Sequence, residues 1–343
     1  MENSMSRLLI ETTVRHTLKG LKENPKRSVR NLVDMALHFS EGRFQSHFFQ
    51  TAHTMLEHED SAYYALIEDA VSHIETEHLV TFGMNLGYNS CTWGAQRIRM
   101  NEQRLGFNIP WTVLFQMDDS QLATHLPQYN RAIQEGEELG IYSWGLLSQR
   151  DPMQLFPLME GHPDSAFFLF CQPEEITSSV VDEMVSLKHL MPVVQWDDGT
   201  NAACALLRDA QLPYSVYYPY TQQDLPFILN GELFCETQQL HPLFTILAAR
   251  PGCPSHIQTL VHQAAVEARN GQTYETVPWE LYSDIRTLDE VISDDACCVF
   301  FDGQGQLFAP NHPGAVSPGN LFEEGLPALI RRAYPKHLPV SAR

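Results

Sequence analysis

The chain has 343 residues, 43% of them hydrophobic, and its 22 basic and 42 acidic residues give a net charge of −20. That length allows one large α/β domain with extensions or two domains, and the apolar content suffices for a sizeable core. The acidity argues against nucleic-acid binding, which needs clustered Lys and Arg, and against docking on an anionic membrane surface.

The charge is uneven. Residues 1–30 carry Arg7, Arg15, Lys19, Lys22, Lys26, Arg27 and Arg30 against Glu2, Glu11 and Glu23. Such a basic arm on an acidic body is read as a solvated helix or as a tail that docks intramolecularly or on a protein partner. The opening residues show no signal-peptide pattern, and no apolar run approaches the roughly 18 residues that span a bilayer. Seven scattered cysteines without a C-x-x-C pair read as reduced thiols and a cytoplasmic setting.

The first eighty residues are expected to be helical. Val29, Leu32, Val33, Ala36 and Leu37 form an amphipathic stripe, and Phe44, Phe48, Thr51, Ala52 and Met55 continue it. A third helix is expected after Asp60 or Ser61 as N-cap. Strand-length apolar runs follow at 79–86, 111–117, 139–147, 166–171, 190–196 and 213–218, with helix-like segments between them. Strands alternating with helices predict βαβ units and a parallel sheet. Six such units make an open, partial barrel, where a complete one has eight.

Between the first run and the next helix stands Gly87-Tyr-Asn-Ser-Cys91-Thr-Trp93-Gly94. It resembles the cluster loop of the radical S-adenosylmethionine (SAM) superfamily, C-x-x-x-C-x-Φ-C, where Φ is aromatic. Cys91 and Trp93 match the middle cysteine and the aromatic; Gly87 and Gly94 stand at the two outer cysteine positions. In that family three thiolates hold a 4Fe–4S cluster and SAM chelates the fourth iron, so the resemblance implies an inherited fold with its cluster motif degenerate. The family's second strand ends in a Gly-Gly-Glu-like turn for the SAM amino group, which Gln116-Met117-Asp118 does not reproduce.

Near the C-terminus, Cys297-Cys298-Val-Phe-Phe-Asp302-Gly-Gln-Gly305-Gln-Leu-Phe-Ala-Pro310-Asn311, followed by Pro318-Gly319-Asn320-Leu-Phe-Glu323-Glu324, is similar to the SPASM/twitch extension of peptide-modifying radical SAM enzymes. Asn311 stands where an auxiliary-cluster cysteine would be. Physically the segment predicts a hairpin turning at Asp302–Gly305, then a helix with Glu323 and Glu324 in its first turn. Of the adjacent cysteines, one is expected buried and one exposed, because neighbours on a strand face opposite ways.

In a βα barrel, chemistry sits at the C-terminal strand ends. Asn85, Asn89, Asp118, Asp197 and Tyr218 are therefore the candidate ligand-binding residues of a barrel mouth. Asp118–Asp119 and Asp197–Asp198 have two readings: carboxylates for a cation or acid–base work, or caps of the following helices. Histidines at 53/58 and 73/78 are five apart and miss one helical face, so no metal site is expected. Phosphate-loop and nucleophile-elbow motifs are absent.

The expected fold is α/β: a radical-SAM-like partial (βα)6 barrel at 79–240, a helical N-terminal region at 1–78 and a SPASM/twitch-like hairpin extension at 241–343. The expected function is non-catalytic binding of a peptide or small molecule, with no catalytic residue, no cofactor, no nucleic acid and no membrane. The alternative is an enzyme: either a radical SAM protein whose 4Fe–4S cluster has unconventional ligands, or a barrel enzyme that uses strand-end carboxylates.

Overall fold

The computed structural model describes residues 2–21, 26–27, 30, 33–34, 53–55, 58–148, 150–293, 296–308 and 319–336. The predicted helical stripes at 29–39 and 44–55 lie mostly outside them, as does Asn311. The chain folds as two compact units, Met1–Met84 with Phe170–Asp284, and Asn85–Leu169 with Ile285–Arg343.

The first unit opens with α1 (Glu2–Leu21), α2 (Tyr63–His73) and α3 (Thr76–Gly83). The N-cap of α2 is Ala62, not the expected Asp60 or Ser61, although the Ser61 hydroxyl accepts a hydrogen bond from the Tyr63 amide at 3.2 Å. Arg15 of α1 pairs with Glu11 on its own helix and with Glu77 on α3. Lys26 donates to the Glu59 carbonyl at 2.7 Å, and Arg30 donates to the Tyr64 hydroxyl at 2.9 Å. Arg15, Lys26 and Arg30 are thus engaged within the chain.

The same unit holds parallel strands in the order β7-β6-β5-β4: β4 (Leu190–Gln195), β5 (Ser215–Tyr220), β6 (Phe244–Ala249) and β7 (Val277–Glu280). Tyr218 sits opposite Leu247, and Ile246 opposite Trp279. Helix α8 (Thr200–Asp209) links β4 to β5; α9 (Leu225–Leu229) and α10 (Glu232–Thr237) link β5 to β6; α11 (Ser255–Gly271) links β6 to β7. Leu233, Phe234, Leu247, Ile257 and Val261 pack between these helices and the sheet. Helix α7 (Ser178–Met184) precedes β4. The run Leu190–Val194 is buried throughout, as a parallel strand covered on both faces requires.

The second unit has strand order β2-β1-β8-β9: β1 (Thr112–Gln116), β2 (Ser143–Leu147), β8 (Val299–Phe301) and β9 (Leu307–Phe308). β1 runs parallel to β2 and β8, and β9 pairs antiparallel with β8. Phe115 stacks between Trp144 and Phe301, with ring centroids 5.8 and 5.4 Å away, and meets Tyr129 edge-on. Tyr129 lies on α5 (Asp119–Leu139), and α6 (Phe156–Glu160) precedes β3 (Ala166–Cys171), the strand at which the two units divide.

Five of the six predicted strands are present. The first is not: residues 76–83 form α3, and the chain stays helical in wider turns through Met84–Gly94 into α4 (Ala95–Leu105). His78, Val80, Phe82 and Met84 are all buried, which at short range is strand alternation. The longer pattern is helical, with His78, Phe82, Asn85 and Asn89 buried at steps of four, three and four. Glu75 caps α3 by accepting from the His78 amide at 3.1 Å. β6 and β7, conversely, fall in the segment expected to be a C-terminal extension.

The C-terminal hairpin is present. The Asp302 carboxylate accepts from the Gln304 and Gln306 amides at 3.0 and 2.8 Å, and Gly305 takes a positive φ of 75°. Helix α12 (Leu281–Ser293) precedes the hairpin, and the helix that follows it, α13 (Leu326–Ala333), starts later than expected. Its first amide is capped by Glu135 of α5 at 2.7 Å, while Glu324 pairs with Arg332. Cys297 and Cys298 are both fully buried. They precede β8 rather than lying on it, and the backbone of Cys298 exchanges two hydrogen bonds with the Tyr334 hydroxyl.

Candidate functional site: a cleft at the strand ends

Parallel strands present their C-terminal ends on one edge of a sheet, where the loops into the next helices leave room for a ligand. In the first unit β4 ends Gln195-Trp196-Asp197-Asp198, β5 ends Tyr218-Pro219-Tyr220-Thr221, and β6 ends Ala249-Arg250. These ends, with α9 and α10, line a cleft of about 900 Å³.

Side-chain bonds tie the neighbouring strand ends together. The Gln195 amide oxygen accepts from the Tyr217 hydroxyl at 2.7 Å and from the Gln172 amide at 2.9 Å. The Thr200 hydroxyl bonds the backbone on both sides of the β4–α8 turn, accepting from the Asp197 amide at 2.7 Å. Asp197 accepts from the Asp198 amide at 2.8 Å and does not cap α8, whose N-cap is Gly199. Both carboxylates are exposed at the rim.

Across the cleft, the Tyr218 hydroxyl donates to Asp224 at 3.0 Å. The other Asp224 oxygen accepts from the amide and hydroxyl of Thr221 at 2.7 and 2.8 Å. Partial burial works against the Asp224 charge, but these donors and the nearby Arg250 outweigh it and hold the carboxyl below its usual range. Burial and the bond to Asp224 push the Tyr218 phenol up to about 12. The Tyr218 and Phe227 rings lie 6.0 Å apart. Glu236 comes from α10, and Arg250 donates to the Pro219 carbonyl at 3.3 Å.

Asp197 and Tyr218 therefore share one cleft. Asn85 and Asn89 belong to the second unit and are not among the cleft's lining residues. The Asn85 amide donates to the Pro163 and Ser165 carbonyls at 2.8 and 2.9 Å, and the Asn89 amide donates to the Asp164 carbonyl at 2.7 Å. Those carbonyls lead into the N-terminal end of β3. Both side chains are buried and also bond each other at 3.1 Å, as an i, i+4 pair on one helix face. Asp118 belongs to the second unit and caps α5, accepting from the Ser120 amide and hydroxyl at 2.9 and 2.7 Å. These bonds hold its carboxyl below the usual range.

Gly87, Cys91, Trp93 and Gly94 lie on the wide-turn helix, not on a loop after a strand. A methyl group on Gly94 would strike the Gly140 carbonyl and come within 2.7 Å of the Asn89 carbonyl, so glycine here permits close backbone packing. Nothing crowds Gly87. The Cys91 residue is partly exposed but its sulfur is enclosed, and burial pushes its thiol up to about 12. Three thiolates hold a 4Fe–4S cluster; this helix carries one cysteine, Cys91, which does not make up that donor set. Among the described residues no three His, Cys, Asp or Glu side chains converge to hold a metal ion.

Sequence reasoning missed Asp224, Glu236 and Arg250, while Phe227 is one of the aromatics near the last strands that a ligand groove could use. The signal available was Phe244-Thr-Ile-Leu-Ala-Ala249, an apolar run of the same length as the predicted strands, followed by the Arg250-Pro-Gly turn.

No protein-family model matches the chain, and no curated protein matches it. Among solved structures it is similar to SuiB of Streptococcus suis bound to S-adenosylmethionine, at 10% identity and a TM-score of 0.49, over 71% of this chain and 68% of that one. It is also similar to a second SuiB structure, at 11% identity and a TM-score of 0.46, over 90% of this chain and 79% of that one.

Proposed function

We propose that this chain is a radical-SAM-like α/β protein without the superfamily's 4Fe–4S cluster, and that it binds a peptide or small metabolite non-catalytically. The observation that carries the reading is the cleft of about 900 Å³ at the ends of β4, β5 and β6, with Asp197, Tyr218 and Asp224 in its walls. That volume and position suit a small ligand. The loss of the cluster is supported by the donor set: Cys91 alone, on a helix, with its thiol shifted towards the protonated form. Engagement of Arg15, Lys26 and Arg30 within the chain supports an intramolecular role for the basic arm rather than a protein partner. The net charge of −20 supports the absence of nucleic-acid and anionic-membrane contacts, and the scattered thiols support a cytoplasmic setting. No helix among the described residues is long and apolar enough to cross a membrane.

A second reading, an enzyme of other chemistry, is favoured by the Tyr218–Asp224 hydrogen bond, a phenol–carboxylate pair facing the same cleft. Two measurements separate these readings. Anaerobic iron and sulfide reconstitution should give no cluster absorbance and far less than one equivalent of iron; about four irons, lost in Cys91→Ala, would overturn the cluster-free reading. A thermal-shift screen of metabolites and peptides should give hits that weaken in Tyr218→Phe. Turnover of a hit, abolished in Asp224→Asn, would replace the binding reading with the enzymatic one.

A further inference from the structure

We propose that the cleft selects an organic cation, a ligand presenting an ammonium or guanidinium group. This rests on the reading of the cleft as a ligand site and names the chemistry it takes. Four carboxylates line it: Asp197 and Asp198 from the end of β4, Asp224 after β5, and Glu236 on α10. One cation, Arg250, faces them, and its Nε–H is committed to the Pro219 carbonyl. The lining therefore carries a formal excess of negative charge, which repels anions and attracts cations.

The apolar part of the lining has matching chemistry. Trp196, Tyr218 and Phe227 supply aromatic surface, and the Tyr218 and Phe227 rings stand 6.0 Å apart, tilted by 55°. A cation over an aromatic face is attracted by the ring quadrupole. Alkyl segments between charged groups pack on such rings while their heads reach carboxylates, as long basic side chains do. Asp224 is spoken for by Thr221 and Tyr218, so the exposed Asp197, Asp198 and Glu236 are the groups left to meet the ligand's charge.

The same cationic head arises in a free amine metabolite and in a Lys or Arg side chain of a peptide. Titration calorimetry on the full chain separates these sources, with agmatine and spermidine as free amines and an acetylated, amidated Lys-Arg dipeptide as the peptide. Citrate and an acetylated, amidated Gly-Gly dipeptide are the anionic and neutral controls. At least one cationic probe should bind, with an affinity that falls as salt is raised, because the carboxylates are exposed. Its Kd should weaken about fivefold or more in Asp197→Asn/Asp198→Asn, and again on adding Glu236→Gln, with melting temperatures unchanged. Which probe binds identifies the source. Binding of citrate or the Gly-Gly dipeptide with the cations silent overturns the inference and leaves the cleft a ligand site. Silence from all the probes overturns the inference and the cleft reading together.

Discussion

The buried carboxyl of Glu280 shows how one residue sets a pH dependence. It is fully buried at the end of β7, where it accepts from the Tyr220 hydroxyl at 2.9 Å and from the Ser283 amide at 2.7 Å. Burial, with Asp284 adjacent, raises its pKa above the ordinary 4.5 despite those donors. A raised folded value means that its contribution is full below pH 4.5 and is lost as pH rises through the folded pKa. Burial also works against the Asp284 charge, but His262 and Arg269 outweigh it, so that carboxyl titrates below its ordinary 3.8 and outside this window. Glu280→Gln removes the titration. The variant's stability relative to the wild type should therefore climb above pH 4.5, by at most about 1.4 kcal/mol per pH unit, in urea denaturation from pH 4 to 8. A difference that stays flat over that range contradicts the assignment.

Single residues were unevenly legible. The helix-cap reading of Asp118 was available from sequence, because an acid after a strand and before an amphipathic helix finds free amides. The roles of Asn85 and Asn89 were not, because their partners are backbone carbonyls more than seventy residues away, and carbonyls leave no mark on composition.

At the scale of elements, the helix from Thr76 to Leu105 is where sequence pattern and structure part. Val, Thr and Phe at 80–82 have strand propensity, and burial of every second residue mimics a half-buried strand. Packing across some fifteen residues decides for helix, a distance that a six-residue window cannot see. The strands at 166–171 and 190–195 were legible because burial on both faces demands an unbroken apolar run. Two glycines test the helical assignment. Gly87 has open space around its Cα, so Gly87→Ala should raise stability by about 0.5–1 kcal/mol through helix propensity. Gly94 abuts the Gly140 backbone, so Gly94→Ala should lower it by about 1–3 kcal/mol or more. Chemical denaturation of both variants reads this out, and a loss at Gly87 with none at Gly94 would return the segment to a loop.

At the scale of the whole molecule, the parallel α/β character was legible and the extent of the sheet was not. An expected boundary at residue 240 separates β5 from β6, yet five residue pairs join those strands, Val216 opposite Thr245 through to Tyr220 opposite Ala249. It also detaches β8 from β1, where Phe301 stacks on Phe115. Each of the two units is built from segments on both sides of that boundary. A chain truncated after Leu240 would lose β6 and β7 from the first unit and β8, β9 and α13 from the second. Both β5 and β1 would then present unpaired edges, which template aggregation, and the core side chains Leu247, Ile257 and Val261 would be missing. The truncated chain should accumulate as insoluble material, or as a species with far-ultraviolet circular dichroism but no cooperative melt. The full chain, by contrast, should melt cooperatively. A soluble 1–240 fragment with a sharp thermal transition and dispersed amide resonances would show that the first five strands fold without their neighbours, as a boundary at 240 requires.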